Sequence, residues 1–399
     1  MQKKDKIVVS LVIILGFLSA FGPLSLDMYL PALPDLATDM GISASVSQLS
    51  LTACMIGLAA GQLVIGALSD SVGRRKPLLI GIFLYFIISF ICIFTENIIL
   101  FIILRFIQGF AGGAGSVLSR AIARDYYEGK NLTRFFSFLM LINGLGPILA
   151  PIIGSGMLLI SDWRGIFILL TFIGLLLFIF SFFMVGESLP KKEREQGGLT
   201  GILLAFRTLL KNREFMQYAL PQGLLTGMMF AYIAASPFVL QNIYGLSPQM
   251  FSFCFALNGL GLVIASQLAG NFSLRYTEVS VFKFGILLAA SASLLLLLLL
   301  AFLAPVGFVI LVLFLAISSV GIINTVGTSL SMQSQSRNAG SASALIGLMG
   351  FLFGGIVSPL VGLGSGKTGL PMGIVMVGCA ISAIVIFLLY QKGRMKYEN

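Results

Sequence analysis

GALSDSVGRRKP, Gly66 to Pro77, fills the short gap between the second and third long apolar runs of the chain. The acid Asp70 closes one run, and the bases Arg74, Arg75 and Lys76 precede the next. A turn between two membrane helices needs little polar material, so this much charge in so tight a loop marks a mechanical part. Asp70 is suited to accept from a helix amino terminus, where the dipole favours an anion; the helix expected to start near Gly340 is a candidate. Arg74 is suited to bind an acid or a carbonyl, and Arg75 and Lys76 read as topology charges among lipid headgroups.

The runs on either side set the class. Hydrophobic residues make up 58% of 399, charged residues 10%, and mean hydropathy is +1.02. Soluble domains are roughly a quarter charged. A spanning helix needs about 20 apolar residues, and twelve runs qualify: 7–29, 47–69, 78–95, 98–118, 135–159, 165–186, 214–238, 250–270, 282–303, 305–330, 341–363 and 370–390. The expected fold is therefore an all-α polytopic membrane protein.

The net charge of +10 reports topology rather than an acidic or nucleic-acid partner. With the amino terminus inside, every one of the 25 Lys and Arg except Arg105, Arg164 and Lys367 falls in a cytoplasmic segment or, as Lys283 does, at the cytoplasmic edge of a run, as the positive-inside rule requires. The first run is too long for a signal-peptide core and reads as a retained helix. Cys54, Cys92, Cys254 and Cys379 sit singly in apolar runs, without metal spacing. The chain has no histidine, which excludes His-based acid–base catalysis and His metal sites. No cofactor or metal is expected.

The one long polar stretch, 187–213, separates six runs from six. Within it Ile202, Leu203, Phe206, Leu209 and Leu210 share a helical face, with Arg207, Lys211 and Arg213 elsewhere, a pattern suited to the cytoplasmic membrane surface. The expected organisation is a bundle over 1–186, a linker with an interfacial helix over 187–213, a second bundle over 214–390 and a tail over 391–399. A faint repeat supports this: a shift of 204 sets Gly57 over Gly261, Gly66 over Gly270 and Ser69 over Ser273, with Leu274 opposite Asp70. The third, sixth, ninth and twelfth runs are nearly pure grease, including Leu294 to Leu300. Polar groups facing lipid are costly, so those four should be peripheral around a polar interior.

Twelve runs hold one clear acid, Asp27, and one clear base, Arg105. A charge at mid-membrane costs about 2.5–3.5 kcal/mol even on the permissive scale, and persists where it lines a cavity, pairs or moves protons. Asp27 lies just before Pro31 and Pro34, which are expected to bend or end its helix. It reads as a proton carrier, or as a cap on the outer turn. Arg105 opens RFIQGFAGGAG, beside a seam of small residues suited to close helix contact; it modulates Asp27, holds substrate, or is a structural cation satisfied by carbonyls. The fifth run reads NGLGPILAPIIGSG (Asn143 to Gly156), where Pro147 and Pro151 should kink the helix and Gly146 and Gly154 permit close approach. Tyr29, Gln108, Asn143, Gln222, Tyr232, Asn258 and Asn324 are the polar candidates for substrate contact, each equally able to bond a neighbouring helix.

DMYLPALP (27–34), the 66–77 loop, LRFIQG (104–109), GPILAPIIG (146–154), DWRGIF (162–167), SPFVLQNIYGLSPQMF (236–251), FALNGLG (255–261) and AGSASALIG (339–347) together resemble the Bcr/CflA-type drug:proton antiporters of the major facilitator superfamily. The resemblance implies two six-helix bundles and proton-driven export of drug-like compounds by alternating access. It implies Asp27 as proton acceptor with Arg105 as its coupled cation, Asp70, Gly73 and Arg74 as gate, and Gly146, Pro147, Pro151 and Gly154 as the antiporter motif. Some multidrug relatives carry a second acid two turns before the first-helix Asp. Here that position is Ser19, which favours neutral or zwitterionic substrates.

The expectation is a monomeric antiporter of a bacterial cytoplasmic membrane, both termini inside, whose partners are a small-molecule substrate, protons and lipids. The alternatives are export of a native metabolite, such as a siderophore or amino-acid derivative, and, remotely, a polytopic membrane enzyme.

Overall fold

A computed structural model describes residues 9–127, 129–194, 198–333, 335, 339–364 and 367–395. Among them all regular structure is helical. The helices are α1 (Val9–Ser19), α2 (Phe21–Asp27), α3 (Leu33–Asp39), α4 (Ala44–Val72), α5 (Arg75–Ile93), α6 (Ile98–Tyr126), α7 (Gly129–Met157), α8 (Trp163–Met184), α9 (Gly198–Lys211), α10 (Arg213–Pro237), α11 (Pro248–Phe272), α12 (Glu278–Ala301), α13 (Val306–Met332), α14 (Ala339–Val361) and α15 (Leu370–Met395). Each of the twelve predicted runs coincides with helix. Among the described residues ten helices are long and apolar enough to span a membrane, or eleven if the bent pair of the first run is one span. The first run is a bent pair, broken by 50° between Ser19 and Leu24, and the apolar part of α7 is Gly144–Met157.

The bend comes earlier than Pro31 and Pro34 suggest. Pro23 lacks the N–H that would bond to Ser19, so the break falls there. Pro31 and Pro34 instead occupy the first turns of the short helices Leu30–Ala32 and α3, where a missing N–H costs nothing. Helix starts follow the short polar residues: Asn97 accepts from Ile99 N and Leu100 N, Asn212 from Phe215 N, and Ser247 from Met250 N.

The helices cluster into two units, Met1–Gly41 with Ala53–Ile202, and Ile42–Thr52 with Leu203–Asn399. The division falls inside α9 rather than at its ends, and it assigns the first turns of α4 to the second unit. In α9, Phe206 and Leu209 are buried while Leu204, Arg207 and Leu210 are exposed. Part of the expected lipid-facing stripe is thus covered by protein; the side chains of Ile202 and Leu203 lie outside the described residues, as do residues 396–399 of the tail.

Within the first unit, α4 and α6 meet backbone to backbone. A Cβ on Gly57 or Gly61 would collide with the carbonyls of Phe106 and Phe110, and one on Gly109 with that of Cys54. This is the seam the glycine spacing predicts. In the second unit Gly321 of α13 lies against Leu262 O of α11, and Gly261 against Phe314 and Ser318. The faint sequence repeat therefore marks the same contact, second helix against fourth, in each unit. Among the greasy helices, 33% of the apolar stretch of α8 is buried and 39% of those of α12 and α15, against 78% for the span Arg213–Ile243. α5, at 44%, is no more exposed than α11 and α14, so burial alone does not set it apart. All four cysteines are buried and unpaired.

α12 ends in a Schellman turn, with Ala304 N bonded to Leu299 O and Leu303 N to Leu300 O. The left-handed position, φ +48°, is taken by Leu303, where an L side chain is strained. Leu303→Gly is expected to stabilise the fold by up to about 1 kcal/mol, read as a higher melting temperature in detergent.

Candidate functional site

Asp27 is the last residue of α2, where the chain leaves the helix for the turn at Met28 and Tyr29. It is buried, and among the described residues nothing hydrogen-bonds or ion-pairs with its carboxylate. Its position is set from α7: Gly154 lies directly against Met28 O, so that any Cβ there would collide with it. The fifth-run motif is thereby joined physically to the acid. Pro147 and Pro151 lie inside α7, as expected, and Gly146 in the same stretch. Ser19, in the place of a second acid, donates to Gly16 O at 2.7 Å.

Arg105 is fully buried in α6. Its Nη2 donates to Ser25 O at 2.7 Å and its Nη1 to Gln108 Oε1, while Nε has no partner. The guanidinium faces the rings of Tyr29 and Phe167, 4.9 and 5.6 Å from their centroids, which supplies cation–π attraction in a dry site. Among the described residues no carboxylate pairs with it within 4 Å. Its bond to Ser25 O meets the chain two residues before Asp27. Gln108 passes the network on, donating to Ser89 Oγ at 2.7 Å; Ser25 Oγ and Tyr85 Oη share a bond of 2.9 Å. Tyr29 and Gln108 are both wholly buried and both lie against Arg105.

The remaining candidates lie in the second unit, apart from Asn143, whose side chain is outside the described residues. Gln222 donates to Thr328 Oγ1 at 2.9 Å, and Thr226 donates to Asn324 Oδ1 at 3.2 Å, tying α10 to α13. Asn258 donates to Tyr232 Oη at 2.8 Å, with Tyr232 stacked on Phe255. Gln222, Tyr232 and Asn258 are buried; Asn324 is half-buried.

The opening loop is a closed charge network in the first unit. Arg74 pairs with Asp70 at 2.6 Å and Asp125 at 3.2 Å. Glu187, hidden from sequence reading in the polar linker, accepts from Arg74 N at 2.8 Å and Leu189 N at 3.1 Å. It is this carboxylate that sits at a helix amino terminus, that of α5, while Asp70 accepts from Arg74. Gly73 has φ +103°, and a Cβ there would come 2.5 Å from Glu187 Oε2. Only glycine permits both the turn and the linker above it. Arg75 donates to Phe182 O at 2.8 Å and lies over the Phe182 ring, so it caps the end of α8.

At the other end of the first unit the single tryptophan, Trp163, donates to Asp39 Oδ2 at 3.0 Å. Arg164 donates to the same oxygen at 2.8 Å. These two bonds hold the exposed Asp39 carboxyl below the usual carboxylate range. A lowered value means that the contribution is present throughout neutral and mildly acidic pH and lost only in stronger acid. Asp39→Asn is therefore expected to shift Trp163 fluorescence, while acidification from about pH 7.5 to about pH 5 leaves it unchanged.

The Major Facilitator Superfamily model matches residues 15–359. An uncharacterized MFS-type transporter of Bacillus subtilis, YdgK, is 42% identical over 97% of this chain and 96% of its own. A bicyclomycin resistance protein homolog of Haemophilus influenzae is 29% identical over 96% and 97%, and multidrug resistance protein D of Escherichia coli 27% over 93% and 95%. In fold the chain is similar to a bacterial homolog of the lysosomal transporter Spinster in an inward-facing, unoccupied conformation (TM-score 0.78, 15% identity, 97% of both chains). It is likewise similar to a D-xylose–proton symporter (TM-score 0.72, 18% identity, 94% and 97%). With the family model across most of its length and resistance proteins among its full-length relatives, the chain belongs to the major facilitator superfamily of transporters, and within it is similar to the Bcr/CflA-type drug transporters.

Proposed function

We propose that the chain is a proton-coupled antiporter that exports small neutral or zwitterionic compounds, phenicol- or bicyclomycin-like, by alternating access. The observation that carries this reading is Asp27: a buried carboxyl with no partner among the described residues, at a helix end. Such a group is costly unless it exchanges a proton. Arg105, held by a carbonyl, an amide and two rings, leaves that carboxyl free to load and release. The names of the full-length relatives support drugs as substrates. The absence of an acid at Ser19 leaves one intramembrane acid in the first unit and disfavours lipophilic cations. We place the protein in a bacterial cytoplasmic membrane as a monomer, with both termini inside, following the distribution of Lys and Arg.

The test uses inverted membrane vesicles, acidified inside and followed with a pH-sensitive dye. Adding a phenicol or a bicyclomycin-like compound should release protons, and a cationic dye should release few. Silence toward every such compound, with proton release by a metabolite instead, would move the substrate to a native export product. Equal response to cations would overturn the neutral preference.

A further inference from the structure

α10 does not end as an ordinary helix. Pro237 has no N–H, and the N–H of Phe238, which would reach Ala234 O in a continued α-helix, bonds to Ala235 O instead. The chain then widens into a π-helical turn, Phe238–Ile243, with Tyr244 N on Val239 O. Such insertions are rare and concentrate at functional positions. Ala234 O, deprived of its α-helical donor, accepts from Gln48 Nε2 of α4 at 2.9 Å. Gln48 is 1% exposed, and its Oε1 has no hydrogen-bond partner among the described residues. That oxygen lies against Gly362, where a Cβ would also come 2.5 Å from Ser45 Cα. Around Gln48 is a small cavity lined by Ala44, Phe238, Ile243, Gly362 and Met372. The nearby Ser47 and Ser50 hydroxyls donate to carbonyls of their own helix, Ala44 O and Ser47 O, while Gln48 reaches α10. All these residues lie in the second unit, although α4 itself continues into the first.

We propose that Gln48 is a positioning residue for alternating access: its amide holds the break in α10 and is released once per transport cycle. The proposal rests on the chain being a transporter with this end of α4 facing outward, and not on the identity of its substrate. With Gln48 engaged, Ala234 O is satisfied from α4 and Phe238 N–H takes Ala235 O. With Gln48 withdrawn, Phe238 N–H can return to Ala234 O, so the released arrangement gives up one net hydrogen bond. The bare Oε1 means that the engaged state is only half satisfied, which suits a tie that must open. Gly362 lets α4 come close enough to engage.

The test is labelling of Ile243→Cys by a membrane-impermeant maleimide in intact cells, against the four buried native cysteines. Gln48→Leu, which keeps the volume and removes the donor, should raise the labelling rate about fivefold, the shift expected from one net hydrogen bond. Gly362→Ala, which displaces the first turn of α4, should raise it as well. In transport, Gln48→Leu should lower kcat with KM unchanged. An unaltered or lowered labelling rate in either variant, at normal membrane abundance, overturns the proposal, as does a rise in KM with kcat unchanged. Labelling needs no substrate, so it reads the latch even if none of the drugs tested is exported.

Discussion

Asp27→Asn is expected to abolish substrate-induced proton release in inverted vesicles while leaving the protein folded and in the membrane at normal amounts. Asn has the shape of Asp and cannot ionise, so the change removes the charge and little else. Nothing among the described residues is bonded to the Asp27 carboxylate, so no structural partner is orphaned by the change. The fold should therefore shift by less than about 1 kcal/mol. Proton release in the variant should fall to the level of vesicles lacking the protein. Asp27→Glu, which restores an acid one methylene longer, should recover part of it. Retained release in Asp27→Asn would place the proton elsewhere. Arg105 would not be the next candidate, since a guanidinium does not deprotonate in proteins.

Gly154→Val should be the most damaging substitution in α7. A side chain at Gly154 would strike Met28 O, part of the backbone one residue beyond Asp27. A backbone carbonyl cannot swing aside as a side-chain tip can, so α7 and the Asp27 turn must separate. Overpacking of this kind costs about 1–3 kcal/mol, and more where backbone is displaced. Gly156→Val is the control: nothing lies within 4 Å of its added Cβ. The expected result is a lowered melting temperature and lost transport for Gly154→Val, with Gly156→Val close to wild type. Equal damage from both would mean that α7 needs helical flexibility rather than contact with Met28.

Much of this protein was legible from one dimension because a bilayer imposes one-dimensional rules. Apolar length decides what spans, Lys and Arg decide which side a loop takes, and a lone intramembrane charge stands out by its cost. Hence the twelve helical runs, the glycine seam at Gly109 and the prominence of Asp27 and Arg105 could all be read from residues. Tertiary structure decided which polar atoms meet, because hydrogen bonds depend on positions far apart in the chain. Glu187 lay in a stretch that reads only as linker, yet its carboxylate spans the amides of Arg74 and Leu189. Tyr29 and Gln108 read as polar candidates for substrate contact, and only packing brings both against a buried cation. Gln48 is one polar residue in a serine-rich helix start. Its bond to Ala234 O depends on a backbone break nearly two hundred residues away, where Phe238 N–H leaves that carbonyl for Ala235 O, and no local pattern records it.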